Sequence, residues 1–376
     1  MSRPGGPTDD DEQPAPLGPE DRAALLAALN DDERAEMVAA VKAMLTAPDA
    51  NLTADQIREI DAAVQAKHDA ERASSGALAN TTPAQARHMA ISRRLREAYD
   101  LLSLPVAILF LLHHRGFHPS YGLTWRRRIQ LGVKMFRNTR NIQTGTSYKA
   151  HLAMAAKLFE IPPSVKGAVV ECGCWKGGST ANLSLICDII GRDLLVYDSF
   201  SGLPPAPAND KYAWSEAEGS FRGDLEIVRD HVTRFGAIER CTFRKGFFSD
   251  TLPHHVEPIV FAFLDVDYAS SLHDCVLNLW PHLTERGYIF IDEYVRIDYC
   301  ALFFSEKWWS TYFDRPPPGM MGVGTGIGVG QYYLGPMKGH PWIQSPSSVA
   351  YTRKDFYGLW DYDPSNPDEV EKARGW

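Results

Sequence analysis

The 376-residue sequence lacks the features that mark several common protein classes. Its longest apolar run, Leu101–Leu112, is about eight residues shorter than a membrane span and contains Pro105. We predict a buried helix there, with a contact to a membrane surface as the alternative. Basic residues are fewer than acidic ones, 39 against 47, and the net charge of -8 argues against a general nucleic-acid binder. One basic stretch, Trp125–Arg140, is interpreted as a solvated helix face. We therefore expect no transmembrane segment and no nucleic-acid partner.

The six cysteines form no Cys-x-x-Cys pair. Cys172 and Cys174 are separated by one residue, but no histidine or cysteine follows at the spacing of a zinc site. The acidic, proline-rich start of the chain does not have the pattern of a signal peptide. Both observations predict free thiols in a reducing, cytoplasmic location.

Hydropathy patterning divides the chain into four predicted parts. Residues 1–20 have the composition of a disordered acidic tail, and residues 21–145 are dominated by helical patterns with apolar positions three and four apart. Residues 146–335 alternate short strands with helices, and residues 336–376 form an aromatic-rich C-terminal extension. No pattern in the helical N-terminal domain selects a role for it.

Most of the predicted strands are largely apolar runs, which is typical of a parallel sheet covered by helices on both faces. Strands are predicted at 167–171, 193–197, 241–244, 258–264 and 287–291, and helices at 179–190, 224–235, 270–283 and 296–312. The predicted fold class is therefore α/β, a doubly wound, mostly parallel, Rossmann-like sheet with an added N-terminal helical domain. Such sheets bind ligands at the carboxyl ends of their strands, so we expect the chemistry there.

The first strand ends at Glu171 and runs into a glycine-rich turn. Gly173, Gly177 and Gly178 allow a sharp turn and a close approach to a ligand. The turn has neither the G-x-G-x-x-G spacing of a dinucleotide site nor the ending of a P-loop, which disfavours a nicotinamide oxidoreductase. Glu171 on this strand and Asp198 after the second suit the hydroxyls of a nucleoside without phosphate. These features indicate S-adenosylmethionine as the cofactor.

Two later strands also end in acidic residues. Asp265 and Asp267 follow one strand, and the next strand along the chain is followed by Asp292 and Glu293. If the two strands are neighbours, the four carboxylates meet and repel one another unless a cation or protons intervene. All-oxygen ligands suit a hard cation such as Mg²⁺.

Five separated motifs resemble, in order and spacing, those of the macrocin O-methyltransferase family: VECGCWKGGST, YDSFSGLPPAP, KGFFSDTLP, FLDVD and GYIFIDEY. The resemblance covers residues 146–335. It implies a class I methyltransferase that uses S-adenosylmethionine and Mg²⁺ to methylate a sugar hydroxyl in antibiotic biosynthesis. The implied partner is a small hydroxylated acceptor, and we also expect a homo-oligomer.

The resemblance also implies roles for individual residues. Asp265, Asp292 and Glu293 take the metal-ligand positions, and Asp267 falls at the position of a general base, so Asp265 and Asp267 are the expected catalytic residues. The family usually has Asp-Asp-Tyr where this chain has Asp-Glu-Tyr. The segment after Asp267 is one residue shorter than the family pattern and lacks its acid. The expected cofactor-binding residues are Glu171, Cys172, Gly173, Trp175, Gly177, Gly178, Asp198, Ser199, Gly246, Phe247 and Phe248.

Several alternatives stay open at this point. The acceptor could be a lipid-linked sugar or a phenol, or the protein could be a non-catalytic scaffold that has kept the cofactor pocket.

At least one of Phe247 and Phe248 is expected in the core, and the loop Ser199–Gly223 resembles a mobile lid. His254 and His255 are expected at the surface. The alternating glycines at 322–330 predict either a late strand of the sheet or a flexible loop that leads into residues 331–334.

Overall fold

The computed structural model describes residue 98 and residues 100–205, 218–294, 297–323 and 349–355. The chain divides into two units, Met1–Ala54 and Asp55–Trp376, and all described residues belong to the second. The predicted tail, most of the predicted N-terminal helical domain and nearly all of the C-terminal extension lie outside the described residues. The predicted domain boundaries therefore stay predictions.

Within the described residues, one sheet contains the strands β1 (Ala168–Cys172), β2 (Leu194–Asp198), β3 (Cys241–Lys245), β4 (Ile259–Leu264), β5 (Leu283–Ile291), β6 (Gly322–Val323) and β7 (Ala350–Arg353). Their order in the sheet is β3-β2-β1-β4-β5-β7-β6. The strands from β3 to β5 pair in parallel, whereas β7 pairs antiparallel with both β5 and β6. The predicted doubly wound, mostly parallel sheet is thus confirmed, and its order reverses between β1 and β4.

The helices in the described residues are α1 (100–113), α2 (Trp125–Asn141), α3 (Tyr148–Glu160), α4 (Gly178–Ile190), α5 (Leu225–Phe235), α6 (Phe248–Thr251), α7 (Ala269–Leu279), α8 (Ile297–Cys300) and α9 (Glu306–Phe313). Short 3-10 helices occur at Pro119–Tyr121, Ile238–Arg240, Leu252–His254, Trp280–His282 and Ala301–Phe304. Side chains of β1, β4 and β5 form a core with α7 and α9 on one face of the sheet. On α4, Asn182 is hydrogen-bonded to Asn138 of α2 and His151 of α3.

The register of the sheet explains where its carboxyl ends lie. Cys172 pairs with Leu264, and Leu264 pairs with Ile291, so three neighbouring strands end level with one another. Every residue of β2 and β4 is buried, as the continuous apolar runs predicted. The residues that follow β1, β4 and β5 therefore emerge side by side at one edge.

Two predicted helix boundaries were wrong, each for a local reason. The helix predicted at 270–283 ends at Leu279, because a 3-10 turn containing Pro281 follows and β5 begins at Leu283. The helix predicted at 296–312 is divided, and α9 restarts where the Ser305 hydroxyl accepts a hydrogen bond from the amide of Trp308. Helical periodicity alone did not reveal this internal cap.

The apolar run at 101–112 lies in α1, which is amphipathic. Leu104, Ile108 and Leu111 are buried, whereas Leu102 and Val106 are exposed. The run was predicted as a buried helix, and that prediction holds for one face. Within the described ranges, no helix combines the length and the hydropathy that crossing a bilayer requires.

Candidate active site

Three acidic side chains converge at the ends of β4 and β5. One carboxylate oxygen each from Asp265, Asp292 and Glu293 lies within 4.8 Å of the others. The parallel ladder continues one residue past the strands, since Asp265 N donates to Cys172 O and Asp292 N donates to Leu264 O, both at 3.0 Å. The backbone thus brings together the acids that the sequence predicted to meet; their role as metal ligands stays a prediction.

The electrostatics of this acidic cluster favour a bound cation or proton. Burial raises the pKa of Asp265, and the nearby carboxylates of Asp292, Asp267 and Glu293 raise it further. The hydroxyl of Thr146 acts in the opposite direction by donating a hydrogen bond to Asp265 Oδ2 at 3.1 Å. A divalent cation would offset the repulsion, and carboxylate oxygens are the ligands that Mg²⁺ takes.

Strained backbone surrounds the same strand ends. Asp267 and Glu293 have φ angles of 58° and 52°, in the left-handed region that non-glycine residues seldom adopt. Trp175, Phe200 and Phe221, on the loops after β1 and β2, share this conformation with φ between 44° and 54°. Such residues cost roughly 1–3 kcal/mol each, and they cluster at functional sites.

The glycine-rich turn after β1 is packed tightly against other parts of the protein. At Gly173, where φ is 83°, a Cβ atom would collide with the carbonyl oxygen of Asp265. A Cβ at Gly177 would lie 3.0 Å from Val228 Cγ1, and one at Gly178 would lie 2.8 Å from Thr144 Cβ. Protein packing by itself therefore requires these glycines. Their expected approach to a cofactor stays a prediction.

The two acids expected near the cofactor differ in their surroundings. Glu171 is fully buried, and neither carboxylate oxygen has a hydrogen-bond partner among the described residues. Burial raises the pKa of Glu171 to about 7, although the nearby hydroxyls of Ser179 and Thr180 act to lower it.

Asp198, by contrast, is occupied by the backbone. Its Oδ2 accepts from the amides of Cys174 at 2.7 Å and Trp175 at 3.3 Å, and its Oδ1 accepts from Phe200 N at 2.7 Å. Burial raises the pKa of Asp198, and these backbone bonds lower it. Asp198 therefore ties together the loops after β1 and β2, a role that the sequence did not reveal; its expected contact with a ribose is untested.

The other expected cofactor residues are placed as follows. The Cys172 side chain lies in the apolar core. The Ser199 hydroxyl donates to Gly202 O at 2.7 Å, within the loop after β2.

Aromatic residues line the same loops. The Trp175 ring meets Phe221 edge-on at 5.5 Å. After β3, Gly246 has a φ of 148°, Phe247 is 40% exposed, and Phe248 packs against the core. The expectation that one of the two phenylalanines belongs to the core is thus met by Phe248.

Sequence reasoning missed two residues beside the acidic cluster. Thr146 precedes α3 and touches Asp265 although 119 positions separate them. Tyr299 of α8 is fully buried, and burial together with the charges of Glu293 and Asp265 raises its pKa. Neither belongs to a strand-end motif, so no local signal pointed to them.

The prediction of a surface position for His255 was wrong. Its side chain is buried, with Nδ1 2.8 Å from the Tyr197 hydroxyl and Nε2 2.8 Å from the carbonyl oxygen of Glu257. His255 therefore lies inside the protein, in contact with Tyr197 of β2, instead of facing solvent.

The loop resembling a lid is described only at its ends. Leu203 N donates to Ser220 O at 2.8 Å, and Gly219 N donates to Leu203 O at 2.9 Å. These bonds hold the two ends of the loop together; residues 206–217 between them lie outside the described residues. Closure over a ligand stays a prediction, as does a strand over the glycines at 324–330, which also lie outside.

The strand order, the glycine-rich turn after β1 and the acids after β4 and β5 together define a class I methyltransferase fold. Residues 130–309 match the family model described as Macrocin-O-methyltransferase (TylF). This match confirms the resemblance seen in the five motifs, and residues 130–309 are called the family region below.

Two curated relatives are similar to part of the chain. One is the 8-demethyl-8-(2,3-dimethoxy-alpha-L-rhamnosyl)-tetracenomycin-C 4'-O-methyltransferase of Streptomyces olivaceus, which is 34% identical over 146 residues. The other is the demethyldecarbamoylnovobiocin O-methyltransferase of Streptomyces niveus, which is 30% identical over 148 residues. Each match covers 36% of this chain and 56% of the relative, so the chain spans about half the length of these relatives.

A solved structure, that of the O-methyltransferase NovP, is also similar. It is 20% identical with a TM-score of 0.42, and the match covers 68% of this chain and 98% of that one. The fold assignment rests on the strand order and the family region, because a TM-score below 0.5 adds no weight to it.

Proposed function

We propose that the protein is an O-methyltransferase that depends on S-adenosylmethionine and Mg²⁺. Its acceptor is a hydroxyl group on the sugar of a small-molecule natural product. The observation that carries this proposal is the group of three carboxylates, from Asp265, Asp292 and Glu293, within 4.8 Å of one another beside a glycine-rich turn. Both features fall inside the family region at 130–309. The two curated relatives are named as O-methyltransferases of antibiotic molecules.

The residues present fit both groups that the proposal requires. An all-carboxylate donor set of partly buried acids suits a hard divalent cation, which Asp265, Asp292 and Glu293 would hold. The buried carboxylate of Glu171, which has no hydrogen-bond partner among the described residues, suits a ligand with hydrogen-bond donors or positive charge, such as S-adenosylmethionine. When bound, this cofactor supplies the methyl group, and the cation would lower the pKa of the acceptor hydroxyl.

The protein's own residues would supply alignment and a base. Methyl transfer is an in-line displacement, so the acceptor oxygen must be held opposite the leaving sulfur, and such positioning is a large part of catalysis. The carboxylate of Asp267 lies close enough to Asp265 to raise the pKa of Asp265. The left-handed backbone of Asp267 sets the direction in which its side chain leaves the main chain. We assign to Asp267 the acceptance of the hydroxyl proton, a role worth typically about 10² to 10⁴ in rate.

The test is formation of S-adenosylhomocysteine from S-adenosylmethionine with a panel of glycosylated natural products that carry free sugar hydroxyls. We expect turnover with Mg²⁺, and we expect it to be lost in excess EDTA and in Asp265→Ala. Asp188→Ala is the matched control, because Asp188 lies on the surface in a pair with Arg240. Full activity in excess EDTA would contradict the metal site.

The scaffold alternative gives a different result in the same assays. Titration calorimetry with S-adenosylmethionine, with and without Mg²⁺, measures cofactor binding independently of any acceptor. Cofactor binding without turnover of any acceptor in the panel would favour a non-catalytic role. Homo-oligomerisation and a cytoplasmic location stay predictions, which light scattering and cell fractionation would test.

A further inference from the structure

We propose that Thr146 is a positioning residue that fixes the carboxylate of Asp265; the proposal rests on the metal site of the proposed function. Thr146 is almost fully buried, with 1% of its surface exposed. Its Oγ1 donates a hydrogen bond of 3.1 Å to Oδ2 of Asp265. Thr146 thus touches one of the three clustered carboxylates without being an acid itself.

The Thr146 backbone is itself held on both sides. The Thr144 hydroxyl donates to the carbonyl oxygen of Thr146 at 3.2 Å and accepts from its amide at 3.3 Å. On the other side, the Ser147 hydroxyl caps α3 by accepting a hydrogen bond from Ala150 N at 3.3 Å. The Thr146 side chain therefore projects from a segment whose position is fixed before any ligand binds.

The same segment also contacts the glycine-rich turn. Thr144 packs so closely on Gly178 that an added Cβ would lie 2.8 Å from Thr144 Cβ. The carbonyl oxygen of Asp265 lies closer still to Gly173 of that turn, so that an added Cβ there would collide with it. Asp265 is therefore held at its backbone by the turn and at its side chain by a segment packed on the turn. The segment that contains Thr144 and Thr146 therefore contacts both the proposed metal ligand Asp265 and the glycine-rich turn.

Hydrogen bonds to ligating carboxylates orient the ligand and tune the metal, and their loss typically costs about 10–100-fold in metal affinity. Without the Thr146 hydroxyl, Asp265 must lose more rotational freedom when it binds a cation, and its mutual repulsion with Asp292 and Glu293 favours a turn away from the cluster. A site whose supporting residues are removed keeps its ligands but holds them less firmly in place.

The test is Mn²⁺ binding to the full chain, measured by electron paramagnetic resonance without any acceptor, with Mg²⁺ as competitor. We expect Thr146→Val to weaken Mn²⁺ binding about tenfold. Thr146→Ser retains the hydroxyl and should stay within about twofold of the parent. Thr352→Val is the matched control, because Thr352 is also fully buried but lies on β7, and its binding should equal that of the parent.

Each result separates this inference from the proposed function. Weakening in Thr146→Val with rescue by Thr146→Ser, at unchanged melting temperature, supports the positioning role. Equal affinity in Thr146→Val and the parent overturns it and leaves the metal site intact, and so does equal loss in the serine and valine variants. If the parent itself binds no Mn²⁺, both the metal site and the inference are overturned.

Discussion

The helical layer formed by α1, α2 and α3 and the strand-end site both bury polar side chains, but only the helical layer gives nearly all of them protein partners. Lys149 is fully buried and pairs with Asp100 at 2.9 Å. Asn138 donates to Asn182 Oδ1 at 2.9 Å, and Asn182 donates to His151 Nδ1 at 2.8 Å. Burial lowers the pKa of His151 to about 3, so its ring is neutral; its Nε2 is the exception, without a partner among the described residues.

At the strand-end site, the costs of burial and of repulsion between like charges are compensated less completely. Glu171 is buried with no partner in the described residues, three carboxylates crowd within 4.8 Å, and the backbone at Asp267 and Glu293 is strained. Each of these features costs stability. The contrast indicates that polar groups which serve folding are satisfied by the protein, and we propose that Glu171 and the three clustered carboxylates are instead compensated by a ligand.

The largest expected effect comes from the turn that supports the site. In Gly173→Ala, the new methyl group would collide with Asp265 O, and alanine is also disfavoured at a φ of 83°. We expect a loss of stability of about 4 kcal/mol or more, or no folded protein, measured by urea unfolding.

Gly191→Ala is the matched control for Gly173→Ala. Gly191 has a φ of 67°, but an added Cβ would have nothing within 4 Å, so only the backbone cost of about 1–2 kcal/mol remains. Equal destabilisation of the two variants would show that the close approach to Asp265 does not matter.

The second effect tests the helical layer. Asp100→Asn leaves the buried ammonium of Lys149 without its counter-charge, and we expect a loss of about 1–3 kcal/mol in the free energy of unfolding. Lys149→Met removes the buried charge itself and leaves Asp100, which is 25% exposed, able to hydrate. We expect this variant to lose less. If Lys149→Met were the more damaged of the two, the pair would not act as a satisfied buried charge.

The third effect is a pH dependence at the strand ends. The pKa of Glu171 in the folded state, about 7, lies above its ordinary value of 4.5. Its contribution to stability is therefore fully present below pH 4.5 and is lost as the pH rises through 7. Glu171→Gln stays neutral, so its stability relative to the parent should rise by about 1–3 kcal/mol between pH 4.5 and pH 8.

Urea unfolding at a series of pH values measures this difference. His151 contributes the opposite slope, since its lowered pKa makes acid destabilising below pH 6.5, but it contributes equally to parent and variant. Glu239→Gln, at an exposed position, should show no such trend. A flat difference for Glu171→Gln would mean that its carboxyl is not penalised by burial in the folded protein.

Much of the fold was predictable because its signals are local. Apolar runs marked most strands of the parallel sheet, and the level ends of β4 and β5 brought Asp265 beside Asp292 because these two strands are neighbours. Asp198 was also located, at the end of β2, but its three backbone partners depend on how two loops fold together. Thr146 was missed because its contact with Asp265 joins distant parts of the chain. Periodicity reports burial, not which groups become partners across the fold.

The smallest expected effect separates stability from function at the strand ends. Asp292→Asn removes one of three mutually repelling carboxylates, so in EDTA at pH 8 we expect a gain of about 1 kcal/mol in the free energy of unfolding. We expect Mg²⁺ to raise the melting temperature of the parent, and the same variant should lose this rise. Asp188→Asn, a surface change in a weak pair with Arg240, should alter stability by less than about 0.5 kcal/mol and keep the Mg²⁺ effect. Destabilisation of Asp292→Asn with an intact Mg²⁺ effect would place Asp292 with the satisfied polar groups of the helical layer, and the contrast between the two regions would fail at its central residue.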